Sequence, residues 1–295
     1  MLCKLKDIVP NFDKYIELLG LHMVETFFLA LFPGLVSVVL VSHDVLSACW
    51  YMLLCIVGTS IVKPAGCVIN CICDREIDAK VKRTKNRPLA DKSLTVVQAL
   101  KVLVVLLLCS CGLLVFTNMY TVKLSIITMI LIVIYPLSKR FFAWPQFLLG
   151  LVFNSGVLLV CSMITGRLTL SCILLYIGCI FWTIGYDTIY AAQDRECDAK
   201  LGLNSTALRF GNDIRLWIGR VYTITVAMWM SAGVVAMLHP VFYIAVLIIA
   251  VIFYYQYKKS DFDNSEKCMY MFNMNAYIGL VLFVGAVFGR VLNVI

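Results

Sequence analysis

The chain has 295 residues, 62% of them hydrophobic and only 14% charged, with a mean hydropathy of +0.92. A water-soluble domain cannot bury that much apolar surface, so a soluble enzyme is excluded; nine bilayer-spanning helices of roughly 20 residues each would account for the apolar share. The net charge of +8 comes from 25 Lys and Arg against 17 Asp and Glu, and the cations are too scattered among apolar runs to form a nucleic-acid surface.

The opening stretch, MLCKLKDIVPNFDKYIELLG, mixes acids with its lysines and has no continuous apolar core. It reads as neither a secretory signal nor a transit peptide, which points to a bacterial inner membrane rather than a mitochondrial one. Apolar runs then follow at about 21–42, 45–66, 98–118, 120–138, 147–166, 169–192, 216–237, 239–257 and 276–295. If successive runs cross the membrane, Lys123, Arg167 and Arg290 fall on one face and the remaining 22 Lys and Arg on or near the other. The positive-inside rule makes the basic face cytoplasmic. The connections on the far face are too short for a second domain, so residues 1–295 form a single membrane domain. Most of the 13 Cys lie inside apolar runs, where they behave as small hydrophobes, and no disulfide framework is readable.

Two carboxylate clusters carry the chemistry. After the second run comes NCICDREIDAKVKRTKNRPLA, with Asn70, Asp74 and Asp78 at i, i+4 and i+8 on one helical face. The sixth run ends YDTIYAAQDRECDAKLG, where the spacing of Asp187, Asp194 and Asp198 again predicts one helical face. Asp74 to Asp194 and Asp78 to Asp198 are both 120 residues apart, a weak internal repeat. An even number of crossings separates the two, so they reach the same membrane face.

Carboxylates gathered there repel unless a hard cation relieves them. Mg2+ commonly takes one or two protein carboxylates and completes its shell with substrate phosphate oxygens. A single Asp at a helix end is commonly a cap or a solvated loop residue; two clusters with matching pairs argue instead for Mg2+-mediated diphosphate binding. Among the neighbouring cations, Arg75 directly follows Asp74 and Arg87 sits in the turn-like NRP, and guanidinium forks suit phosphate or carboxylate. The loop after the fourth run, YPLSKRFFAWPQ, brings Tyr135, Lys139 and Arg140 to the same face. Cys67, Cys71 and Cys73 lack a second Cys or His cluster to complete a zinc site. Phe141, Phe142, Trp144, Phe153 and Trp182 are candidates to line an apolar route for a lipid-like substrate, with the bilayer as its reservoir. Carboxylates along a divalent-cation transport pathway are the competing reading, but transport sites usually lie near the bilayer midplane on broken helices.

With these motifs in place, the chain resembles the UbiA superfamily of membrane prenyltransferases over most of its length. The resemblance rests on Asn70-x3-Asp74-x3-Asp78 followed by KRTKNRPL, on YPLSKR with Pro145 and Gln146, and on YDTIYAAQDRECD followed by STALRFG. It is strongest to the 4-hydroxybenzoate polyprenyltransferase branch. The resemblance implies an all-α integral membrane fold of nine helices around a central cavity. It further implies transfer of a polyprenyl group from polyprenyl diphosphate to the carbon ortho to the hydroxyl of 4-hydroxybenzoate, in ubiquinone biosynthesis.

Carried over by position, Asn70, Asp74, Asp78, Asp187, Asp194 and Asp198 form the metal and diphosphate site. Arg75 and Lys139 assist the phosphates, and Arg140 is the candidate partner of the acceptor carboxylate. A carboxylate of the second cluster, Asp187 or Asp194, is the candidate base. No protein partner is implied. The chain departs from the pattern at Cys71, where relatives commonly have Asp, at Lys92, where they usually have Gly, and at Gly20 and Met23, where an Arg followed by a Pro is usual. A UbiA-type enzyme with another aromatic or quinone-precursor acceptor is the nearest alternative.

Overall fold

The computed structural model describes residues 11–293; the first ten residues of the opening stretch, and the end of the last apolar run at 294–295, lie outside them. The described residues are helical and contain no strand: α1 (Phe12–Leu18), α2 (Val24–Val41), α3 (Val45–Asp78), α4 (Val96–Leu113), α5 (Met119–Ser138), α6 (Pro145–Phe153), α7 (Ser155–Thr165), α8 (Leu170–Ala191), α9 (Arg195–Leu201), α10 (Thr206–Phe210), α11 (Ile214–Val235), α12 (Val241–Lys259) and α13 (Ser265–Val291). Nine helical stretches among them are long and apolar enough to cross a membrane. In lipid this is forced, because every backbone polar group must be satisfied within the chain.

Boundaries moved where polar residues are satisfied by packing. The second span continues to Asp78 rather than ending near 66, so the first carboxylate cluster stands on the same unbroken helix. The ninth begins at Ser265, eleven residues before the apolar run expected at 276. Its polar start is tolerated because Asn275 accepts from Trp182 Nε1 at 2.8 Å and donates to the Met271 carbonyl at 2.9 Å. The fifth span is two helices, α6 and α7, broken at Asn154, whose carboxamide donates to the Gly150 carbonyl and to Thr183 Oγ1, each at 2.8 Å.

Helices α8 and α11 form the tightest pair in the core. A methyl group at Gly185 would collide with the Tyr222 ring, so the backbone approaches at a distance only glycine permits. Tyr222 in turn donates to Gln256 Oε1 at 2.7 Å, tying α11 to α12. Around these contacts sits one large apolar core containing Trp182, Trp229, Phe242 and Phe253. Helices α3, α4 and α5 stand apart from it, and the space between them and the core is the cavity.

Candidate active site

A cavity of about 780 Å3 opens among α1, α3, α4, α5, α6, α7 and the α8–α9 turn. Asn70, Asp74 and Asp78 all line it, as the i, i+4, i+8 spacing predicts for a continuous α3. Asp187, Asp194 and Asp198 line it as well, but not as one helical face. Helix α8 stops at Ala191, a 3-10 turn spans Ala192–Asp194, and α9 restarts at Arg195. The turn re-aims the chain so that all three side chains still border the cavity.

The connection from α3 to α4 folds back over this end. Thr84 Oγ1 donates to the Asp78 carbonyl at 3.1 Å, and successive turns carry Arg83 and Arg87 to the cavity wall. Arg87 donates to Asp78 Oδ2 at 2.9 Å. Arg83 forks onto Asp194, with Nε donating to Oδ1 at 3.1 Å and Nη2 donating to Oδ2. It also donates to Tyr190 Oη at 2.7 Å and lies over that ring. Burial alone would weaken the hold of both guanidinium groups on their protons, but the facing carboxylates outweigh it and raise both above the ordinary arginine value.

From the opposite wall, Lys139 places its Nζ 3.6 Å from Asp74 Oδ2, and Tyr135 lines the cavity beside it. The Lys139 carbonyl accepts from the Asn204 backbone at 2.8 Å, and Gln146 Oε1 accepts from the Thr206 backbone at 3.0 Å. These two bonds lock the α5–α6 turn onto the segment leading into α10.

Two expected site residues are not brought in. Arg75 follows Asp74 by one position, about 100° around the helix; it is exposed and pairs with Glu76 at 3.2 Å. Arg140 is exposed and donates to the Cys73 carbonyl at 2.7 Å, outside the cavity wall. Among the aromatic candidates only Phe153 lines the cavity: Trp182 is in the core, Trp144 packs on Phe210 and Trp217, and Phe141 is exposed.

The cavity also has cationic and polar residues that spacing did not single out: Lys63, Arg83, Gln146 and Tyr190. Arg83 and Arg87 are committed to carboxylates and Lys139 faces one, whereas among the described residues the Lys63 ammonium donates to the Gly20 carbonyl and to no carboxylate. Gly20 has φ +62°, and a side chain there would press on Cys67 Sγ at 2.7 Å, so this departure from the family pattern shapes the cavity wall beside Lys63. Cys71 is buried against Leu18, Val68, Leu89 and Leu94 at the edge of the cavity. Lys92 adopts φ +62°, a left-handed conformation that glycine adopts without strain.

Could these residues hold a metal? Asp74 Oδ1 is buried with no hydrogen-bond partner, and among the described residues Asn70 makes no side-chain hydrogen bond and Asp198 no ion pair. Among the described residues no three His, Cys, Asp or Glu side chains converge into a ready-made cage. The donor set is hard oxygen, two carboxylates on one side and three on the other, which fits a hard divalent cation completed by phosphate oxygens.

The UbiA prenyltransferase family matches residues 30–280. A 4-hydroxybenzoate octaprenyltransferase of Francisella tularensis subsp. mediasiatica (strain FSC147) is 36% identical over 276 residues, covering 92% of this chain and 96% of that protein. A mitochondrial 4-hydroxybenzoate polyprenyltransferase of Caenorhabditis elegans is 37% identical over 286 residues, 96% of this chain and 80% of that one. In fold, the chain is similar to a UbiA homolog from Aeropyrum pernix K1 in its apo form, with a TM-score of 0.76 at 19% identity over 92% of this chain and 98% of that one. It is also similar to a UbiA homolog from Archaeoglobus fulgidus bound to GPP and Mg2+, with a TM-score of 0.67 at 17% identity over 93% and 99%. With the paired carboxylate clusters on one cavity and a family match across most of its length, this multi-pass membrane protein belongs to the UbiA prenyltransferase family.

Proposed function

We propose that the protein transfers a polyprenyl group from polyprenyl diphosphate to the ring carbon ortho to the hydroxyl of 4-hydroxybenzoate. The observation that carries this is the convergence of both carboxylate clusters, with Arg83, Arg87 and Lys139, on one end of a cavity whose remainder is lined by apolar residues such as Leu54, Leu107, Leu114 and Met129. The names of the Francisella and nematode relatives support the acceptor.

In this reading the diphosphate sits between the clusters, and Asn70, Asp74 and Asp78 on one side with Asp194 and Asp198 on the other would hold Mg2+. The metal, when bound, would neutralise charge developing on the departing diphosphate. Arg83, Arg87 and Lys139 exchange carboxylate partners for phosphate oxygens and add to the same stabilisation. The allylic carbon–oxygen bond breaks, and the apolar wall keeps water from the resulting cation. The ring carbon ortho to the phenol forms the new carbon–carbon bond, and its proton leaves to a carboxylate. Asp187 suits that last role because it lines the cavity and, among the described residues, is held in no ion pair.

Lys63 takes the acceptor carboxylate in place of Arg140, as the cavity cation that, among the described residues, no carboxylate faces in an ion pair. The charge bias supports a cytoplasmic carboxylate end. Membranes carrying the protein, given Mg2+, a polyprenyl diphosphate and 4-hydroxybenzoate, test the reading through the mass of the product.

A further inference from the structure

The face opposite the carboxylates carries three of the 25 Lys and Arg, and two of them line one cavity. Arg167, in the α7–α8 turn, and Arg290, in the last turn of α13, line one cavity of about 550 Å3 together with His43. No ion pair to either arginine exists among the described residues. Arg290 donates to the Ser42 carbonyl at 3.1 Å, and the Arg167 side chain has no hydrogen-bond partner among the described residues. The nearby acid, Asp44, is occupied with capping α3 through Ser47 at 2.9 Å. Beside the cavity the Ser42 hydroxyl is buried without a partner. Two cations gathered on a face that is otherwise nearly free of them repel each other unless an anion lies between them.

The rest of the lining decides which anion. Leu40, Val41, Ile164 and Val235 are apolar, while Thr165 and Ser171 add hydroxyls. The neighbouring surface exposes Leu170, Val234 and Met237, as a lipid-facing surface does. Because the cavity lies where these helices end, it sits at headgroup depth. We propose that it binds the phosphate of an anionic phospholipid, with Arg167 and Arg290 on the headgroup and the apolar wall against the start of an acyl chain. Guanidinium groups suit a phosphate through charge-assisted hydrogen bonds, and about 1 kcal/mol for each is roughly fivefold in affinity.

The test must be resolved by site, because the basic opposite face also attracts anionic lipid. The purified full chain in detergent is photocrosslinked with diazirine-bearing phosphatidylglycerol or phosphatidylcholine, and adducts are mapped by peptide mass spectrometry. Phosphatidylglycerol should label residues 164–171 and 235–241 well above phosphatidylcholine. Arg167→Gln should lower that labelling by roughly fivefold, Arg167→Lys should restore most of it, and the double variant with Arg290→Gln should lose roughly thirtyfold. Among the described residues the Arg167 side chain makes no hydrogen bond, so its single variants should remain folded and keep the test decisive even if the double variant does not. Equal labelling by both lipids, or labelling unchanged in Arg167→Gln, would overturn the proposal. Competition by millimolar inorganic phosphate would also overturn it, by making this a site for a free anion.

Discussion

Arg83 and Asp194, 111 residues apart, are joined by a two-pronged ion pair at the rim of the cavity, with Nε donating to Oδ1 at 3.1 Å. The pair ties the connection after α3 to the turn after α8, so it closes the site's two halves on each other. In the proposed reaction, a diphosphate entering between the clusters would meet the Arg83 guanidinium.

Replacing Arg83 by Gln should therefore lower kcat/KM for the prenyl diphosphate by about tenfold to a hundredfold, the range for a charged hydrogen-bond partner in a partly dehydrated site. Arg83→Lys should recover only part, because a point charge cannot form the fork. Steady-state kinetics at matched expression check this; unchanged kinetics in Arg83→Gln would remove Arg83 from the site.

Lys63 and Arg140 separate on the acceptor side. Lys63→Ala should raise the apparent KM for the aromatic acid by about tenfold or more while leaving that for the diphosphate within about twofold. Arg140→Ala, on a side chain outside the cavity, should leave the acceptor KM within about twofold. The reverse pattern would return the carboxylate to Arg140.

How much of this was legible in the sequence depended on separation along the chain. The nine spans and the Asn70–Asp74–Asp78 face follow from local periodicity, and an even number of crossings suffices to bring the second cluster to the same end. The break at Ala192–Asp194 was not legible, because Asp187, Asp194 and Asp198 fit one helix equally well on spacing. Arg83 stood among five other loop cations with nothing local to distinguish it, since its partner lies on another helix. The position of Arg140 off the cavity wall was hidden for a related reason: its neighbour Lys139 lines the cavity, and one residue along the chain turns the side chain away. The start of α13 was hidden because the partner that satisfies Asn275 is Trp182, 93 residues away.

Lys92→Gly should stabilise the detergent-solubilised protein. An L-residue at φ +62° carries about 1–2 kcal/mol of strain, offset by the 0.5–1 kcal/mol that glycine costs in chain entropy, leaving about 0.5–1 kcal/mol. A thermal-melt comparison at matched detergent checks it; a lower Tm in the glycine variant would contradict it.

The contact that fastens α1 over the cavity is pH-sensitive at its edges. Lys14 Nζ donates to Asp91 Oδ2 at 2.7 Å. The hydrogen bond to Asp91 raises Lys14 above its ordinary 10.5. Partial burial alone would raise the Asp91 carboxyl, but hydrogen bonds from Lys14 and Ser93 hold it below 3.8. A depressed acid stabilises above its unfolded value and loses that contribution as pH falls through the folded one; a raised lysine loses its contribution as pH rises through its folded value. The Tm difference between wild type and Asp91→Asn should stay level from about pH 5 to 9 and shrink below about pH 4. A difference that persists at acid pH would show that the ion pair is not its source.

The central claim is that both carboxylate clusters serve one metal-dependent prenyl transfer. Its most direct test is the membrane assay with Mg2+, a polyprenyl diphosphate and 4-hydroxybenzoate, run on wild type, Asp74→Asn and Asp194→Asn at matched membrane insertion. Wild type should give the ring-prenylated acid, lose the activity in EDTA and regain it with Mg2+, and each variant should be inactive though inserted. Turnover in EDTA, or near-wild-type rates in either variant, would contradict the account.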